Sequence, residues 1–196
     1  MPYSQEPQQG SLFSLKEFDS PVYKVESTPY EMGATELGRW KDKIINYQQQ
    51  LRAARSPQAQ TNLLELVPNH CDPDAIDPFG LEPRPLSFWR YPEHGASAAC
   101  IYFVIDHACG LLLYVGETCR SSTRWKGAHD CKRYADNYVY LHGSHNLTRQ
   151  LGISFWWDAP IATRPRQQLE SNLIAKWKPP FNRENWQLWH TPFVGD

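Results

Sequence analysis

No stretch of the 196 residues stays apolar over the roughly 18 positions that a membrane-crossing helix needs, so no membrane span is expected. Charge of one sign is not in excess either: 20 basic against 21 acidic residues leave a formal net charge of -1. The chain as a whole carries no signature of nucleic-acid binding, and any such function has to come from local charge. Cysteines are few and scattered, five in all, at positions 71, 100, 109, 119 and 131. No two form a C-x-x-C pair, which leaves a structural zinc site with little support. An odd, dispersed set suits a reducing compartment, with most of the thiols acting as small apolar residues. Met1 to Gly10 is polar and rich in Gln and Pro, with no apolar signal-peptide core. A cytoplasmic protein is expected.

What is present is aromatic and proline-rich. Eight Trp, ten Tyr and eight Phe supply a packed core, while sixteen prolines demand much irregular backbone. The length suits one ordinary domain with an extension. Charge is unevenly divided. Residues 1–97 hold 9 basic and 13 acidic groups, and residues 98–196 hold 11 basic and 8 acidic. The net positive half is thus the C-terminal one, as a phosphate-binding surface requires; a solvated surface explains the same modest excess.

Residues 1–32 read as a polar, disordered arm. Within it, Gln9-Gly10-Ser11-Leu12-Phe13 resembles the pentapeptide by which bacterial proteins dock on the DNA-polymerase sliding clamp. Leu12 and Phe13 would enter an apolar pocket, with Gln9 bonding at its rim. An ordinary tail is the competing reading. From Ala34 to Arg55, Leu37, Trp40, Ile44, Tyr47, Leu51 and Ala54 recur at spacings of three and four, an amphipathic helix opened by Thr35 and ended by Ser56-Pro57. Its stripe can pack on the domain or serve as the seam of a homodimer. Residues 68–93 are punctuated by proline and form an extended strap, anchored by Phe79, Leu81, Leu86, Phe88 and Trp89. Asp72, Asp74 and Asp77 between these prolines suit turns better than a metal loop. Residues 33–97 are therefore expected to pack on the core.

The compact module covers 98–196. Strands are expected at Cys100–Ile105, Leu111–Val115 and Ile153–Trp157, and helices over Ser122–Tyr134 and from Thr163 to Pro179-Pro180. This mixture indicates an α+β fold. Asp106 to Gly110 closes a hairpin that brings Tyr102 near Tyr114, and Gly116 permits a close backbone approach. Glu170, Ile174 and Trp177 share one helix face, so the carboxylate lies on a semi-buried surface where pairing or a metal is needed. Arg124 can fork onto two phosphate oxygens.

Cys100-Ile101-Tyr102, then Tyr114-Val115-Gly116, Arg124, His129, Glu170 and Asn182, read in that order, resemble the GIY-YIG nuclease family. The resemblance spans Cys100 to Asn182. It implies a three-stranded antiparallel sheet flanked by helices and a DNA endonuclease using one divalent metal, Mg2+ or Mn2+, bound through Glu170. By the same resemblance Tyr102 is a general base or proton relay, Tyr114 positions water or phosphate, and Arg124 stabilises the transition state. His129 assists proton transfer or holds the phosphate, and Asn182 braces the loop beyond the metal-binding helix. Gly116, Lys126 and Lys132 are expected as further DNA contacts. Two positions depart from the pattern: Cys100 stands where the family has glycine, and His129 follows Arg124 by five residues instead of four. A structure-specific enzyme of repair or recombination, associated with the nucleoid, is the leading expectation. A catalytically inactive module binding DNA or protein, and a restriction or homing enzyme, are the alternatives. For the last, no zinc finger or helix-turn-helix is visible.

Overall fold

The computed structural model describes residues 32–54, 72–86, 98–119 and 130–192. Gln9, Leu12, Phe13, Arg124, Lys126 and His129 lie outside the described residues. The elements in chain order are α1 (Ala34–Ala54), β1 (Arg84–Pro85), β2 (Cys100–Asp106), β3 (Leu111–Thr118), α2 (Asp130–Ser144), β4 (Leu151–Trp156), α3 (Thr163–Trp177) and the short α4 (Trp186–Trp189). The architecture is α+β, with one antiparallel sheet in the order β1-β4-β2-β3.

The sheet has four strands, not the three expected. Arg84 and Pro85, in the proline-punctuated strap, pair with Ile153 and Gly152 of β4. Proline is tolerated there because the strand is an edge, and two residues are too short to leave a periodic trace in sequence. The second helix also differs from expectation. Its described part runs from Asp130 to Ser144, ten residues beyond Tyr134, because Cys131, Tyr134, Tyr138 and Leu141 continue one buried stripe at helical spacing. The first helix begins at Ala34, so Thr35 lies inside its first turn.

β2 is central and buried at all seven positions, as its unbroken apolar run Cys100–Ile105 demands. Successive side chains point to opposite faces. Cys100, Tyr102 and Val104 join Leu111, Leu113, Ile153 and Phe155 beneath α1 and α2, which contribute Leu37, Trp40, Ile44, Tyr134, Tyr138 and Leu141. Ile101, Phe103 and Ile105 join Leu112 and Val115 beneath α3, which contributes Leu169, Leu173, Ile174 and Trp177. Each such side chain removed from water stabilises the fold by about 1.5–3 kcal/mol. A bulge between Val104 and Ile105 in the β2–β3 register leaves Leu113 without a partner, so Leu113 and Tyr114 both pack toward the first face. The hairpin turn reverses at Gly110, whose φ of 65° favours glycine.

The α1 stripe is thus used within the chain, packed on the sheet. Asp72 and Asp77 accept the N–H groups of Asp74 and Phe79, two residues on, so these aspartates make turns. Lys176 reaches Asp74 at 2.7 Å, and Phe79 packs edge-on against Trp177. The strap residues 72–86 are thereby fastened to α3.

Candidate active site

β3 is an edge strand, and its outward backbone groups are met one after another by other elements. Gln48 from α1 is fully buried and bonds Leu112 twice, accepting its N–H at 2.9 Å and donating to its carbonyl at 3.0 Å. The N–H of Phe181 donates to the carbonyl of Leu113 at 2.9 Å. Asn182 accepts the N–H of Val115 at 3.0 Å and donates to its carbonyl at 2.8 Å. The N–H of Glu117 donates to the Glu170 carboxylate at 3.1 Å. An edge with its donors and acceptors met offers no template for pairing with a second chain. It also fixes Asn182 and Glu170 to successive outward positions of one strand.

Gly116 lies directly opposite Tyr102 in the β2–β3 ladder. A Cβ at Gly116 would run into the Tyr102 ring and hydroxyl, and would stand 2.8 Å from the Tyr114 ring. Glycine is required by that close approach, with no unusual φ involved. The two tyrosine rings stack with centroids 5.9 Å apart and planes 28° from parallel. Tyr102 is fully buried, whereas Tyr114 is half-buried. Tyr102 is therefore closed off from solvent, and Tyr114 is the one of the pair that reaches it in part.

The Gly116–Glu117 peptide is where these parts meet. The Tyr102 hydroxyl stands over Gly116, and the Glu170 carboxylate binds the N–H of the next residue. Tyr102 and Tyr114 meet over Gly116 on the face beneath α1 and α2, and Glu170 reaches the adjoining residue at the edge of β3 from α3, which covers the other face; Asn182 braces the strand from Val115. Lys132 lies in the first described turn of α2, half-buried; burial lowers its pKa, and Asp136 four residues on acts to raise it. Cys100, in the glycine position, is fully buried under α1 and α2. Burial pushes its thiol up to about 12, with Arg166 acting to lower it and Glu117 to raise it. It remains a protonated, small apolar residue at neutral pH.

Two residues at this end of β3 carry no motif. Arg166, 2% exposed, pairs with Glu117 at 2.5 Å and donates to the carbonyls of Pro160 and Ile161 at 3.0 and 2.7 Å. Arg166 and Glu170 stand four apart on one helix, a spacing at which opposite charges can pair. The structure gives Arg166 to Glu117 instead. The position of Glu117 immediately after Gly116 was the only sequence signal available.

A second polar cluster occupies the opposite end of β2. Asp106 is fully buried and accepts the Tyr138 hydroxyl at 2.7 Å, Lys41 at 3.4 Å, and the N–H groups of Gln150 and Ala108 at 2.9 and 3.1 Å. Burial pushes its carboxyl up, but these donors and the Lys41 charge together outweigh that and hold it below the ordinary carboxylate value. His142 lies 2.7 Å from the Tyr138 carbonyl through Nδ1 and 3.1 Å from Lys41 through Nε2. A carbonyl can only accept, so Nδ1 carries the proton and Nε2 accepts from the ammonium. The cluster joins α1, β2 and α2.

Among the described residues no three His, Cys, Asp or Glu side chains group closely enough to cage a metal ion. A single carboxylate such as Glu170 suits a hard cation that keeps most of its water and takes further oxygens from a bound phosphate. No family model, curated protein or solved structure matches the chain.

Proposed function

We propose that the chain is a metal-dependent DNA endonuclease of the GIY-YIG type, hydrolysing phosphodiester bonds at the end of β3. The observation that carries this reading is the convergence of the stacked Tyr102 and Tyr114 on Gly116, with Glu170 fixed on the adjoining peptide. Those four residues come from two strands and a distant helix, in the order in which the family motif is read.

Glu170 would hold one Mg2+ or Mn2+, and the ion when bound supplies charge to a phosphate oxygen and to the departing oxygen. Tyr114, the more open of the two phenols, orients water or phosphate through its hydroxyl. Tyr102 takes up or relays the proton of the attacking water. A phenol with an ordinary pKa near 10 needs neighbouring positive charge for that task near neutrality, and Arg124 is the residue assigned to supply it and to clamp the phosphate. His129 assists with the proton, and Lys126 and Lys132 add phosphate contacts. Asn182 acts on the site through Val115, holding β3 straight beside it.

The finer reading is a structure-specific enzyme of DNA repair or recombination, brought to DNA by docking of Gln9, Leu12 and Phe13 on a sliding clamp. The test is cleavage of duplex, flap, bulge and four-way-junction DNA in Mg2+ or Mn2+ by the full chain. Cutting of at least one substrate, abolished by chelation, is the expected result. Absence of cutting on every substrate in either metal would sink the enzyme reading.

A further inference from the structure

Glu117 is gripped twice by one helix. Arg166 takes its side chain, and Glu170, one turn further along α3, takes its backbone N–H. Residues at i and i+4 of a helix are neighbours on its surface. A guanidinium and a carboxylate at that spacing ordinarily pair with each other, in a bidentate contact if the geometry allows. Here the guanidinium turns to Glu117 and to the Pro160 and Ile161 carbonyls. It is 2% exposed, so it depends on these protein acceptors for its charge.

We propose that Glu117 is a positioning residue for the metal carboxylate: it holds Arg166 away from Glu170 while its own N–H orients Glu170 toward the cation. This rests on the reading of Glu170 as the cation ligand. With Glu117 in place, the Arg166 charge is neutralised beside the site. Without it, a buried guanidinium retains only the Pro160 and Ile161 carbonyls and stands one turn from Glu170, the neighbouring carboxylate on its helix face. Arg166 then competes with the cation for the same oxygens. Residues that orient a metal ligand in this way typically contribute about 10–100-fold in metal affinity.

The pair therefore makes an asymmetric prediction that a structural ion pair does not. The measurement is Mn2+ affinity of the full chain by titration calorimetry with an uncleavable phosphorothioate DNA duplex bound, which supplies the phosphate oxygens the cation needs, alongside thermal melting of each variant. Glu117→Ala is expected to weaken Mn2+ binding by about 10–100-fold, and Arg166→Met added to it is expected to restore most of that loss. Arg166→Met alone keeps the affinity, since it removes the competitor. If Glu117→Ala does not fold, Glu117→Gln keeps an acceptor for Nε without the charge and gives the same direction at smaller size. Weakened melting in all variants with unchanged Mn2+ affinity would reduce the pair to a structural role and overturn the proposal. So would failure of Arg166→Met to rescue. Absence of Mn2+ binding by the unaltered chain is a different outcome: it removes Glu170 as a cation ligand and overturns the nuclease reading and this inference together.

Discussion

Gly116 and Tyr102 are direct cross-strand partners, and the Tyr102 ring occupies the space that any side chain on Gly116 would need. The sheet gives neither residue room to retreat, because Tyr102 is fully buried among Cys100, Val104 and the residues of α1 and α2.

Gly116→Ala is accordingly expected to destabilise the fold by about 1–3 kcal/mol, the usual cost of overpacking, and to displace both tyrosines. Urea unfolding measures the first effect. Tyr102→Phe added to Gly116→Ala should give no relief, because the ring carbon Cζ collides as well as the hydroxyl. Recovery of stability in that double variant would show that the clash is confined to the hydroxyl.

Asn182→Ala removes both bonds to Val115 and leaves a buried N–H and a buried carbonyl on the edge strand. At about 1–3 kcal/mol for each unsatisfied group, the expected cost is roughly 2–6 kcal/mol in a denaturant titration. Amide exchange at Val115 should quicken selectively. A variant as stable as the parent, with Val115 still protected, would mean that water or another group replaces the amide.

Acid should loosen the cluster at the other end of β2. Burial pushes His142 below the ordinary imidazole value of 6.5; Lys41 and Arg149 act the same way, against the Tyr138 carbonyl and Asp106. The unfolded chain therefore binds a proton that the folded chain resists. Stability from the neutral ring is complete above about 6.5 and is lost as pH falls from there through the lowered folded value. His107 is also lowered, by burial against the pull of Asp106, and contributes in the same direction. Asp106 keeps its charge throughout this window, since its pKa lies below 3.8. Unfolding free energy should fall as pH drops below about 6.5, by no more than about 1.4 kcal/mol per pH unit for one group. His142→Gln should flatten the dependence. An unchanged slope in that variant would assign the effect to His107 or another group.

Periodicity made the larger elements legible. The three-and-four stripe of Leu37, Trp40 and Ile44 became α1, and the apolar runs about Asp106 to Gly110 became the central hairpin. Tyr102, Tyr114 and Gly116 could be grouped because they lie close together in one hairpin. What sequence hid depends on pairing across long separations. Gln48 looks like a polar surface residue until Leu112, 64 positions away, requires both of its amide groups. Arg166 looks like the natural partner of Glu170 until Glu117, 49 positions away, captures it. Arg84 and Pro85 form a strand only because β4 offers an open edge. None of these has a local pattern, since each is fixed by where the sheet brings a distant backbone.

Glu170 is the residue on which the account turns, and Glu170→Gln is the direct test. The amide is isosteric and keeps an oxygen for the Glu117 N–H, while removing the charge that a cation needs. On whichever DNA substrate the parent cuts, single-turnover cleavage in Mg2+ should fall by at least about 100-fold, with the melting temperature and DNA affinity close to those of the parent. Cleavage by Glu170→Gln at the parental rate would contradict the assignment of the metal site and of the chemistry built on it.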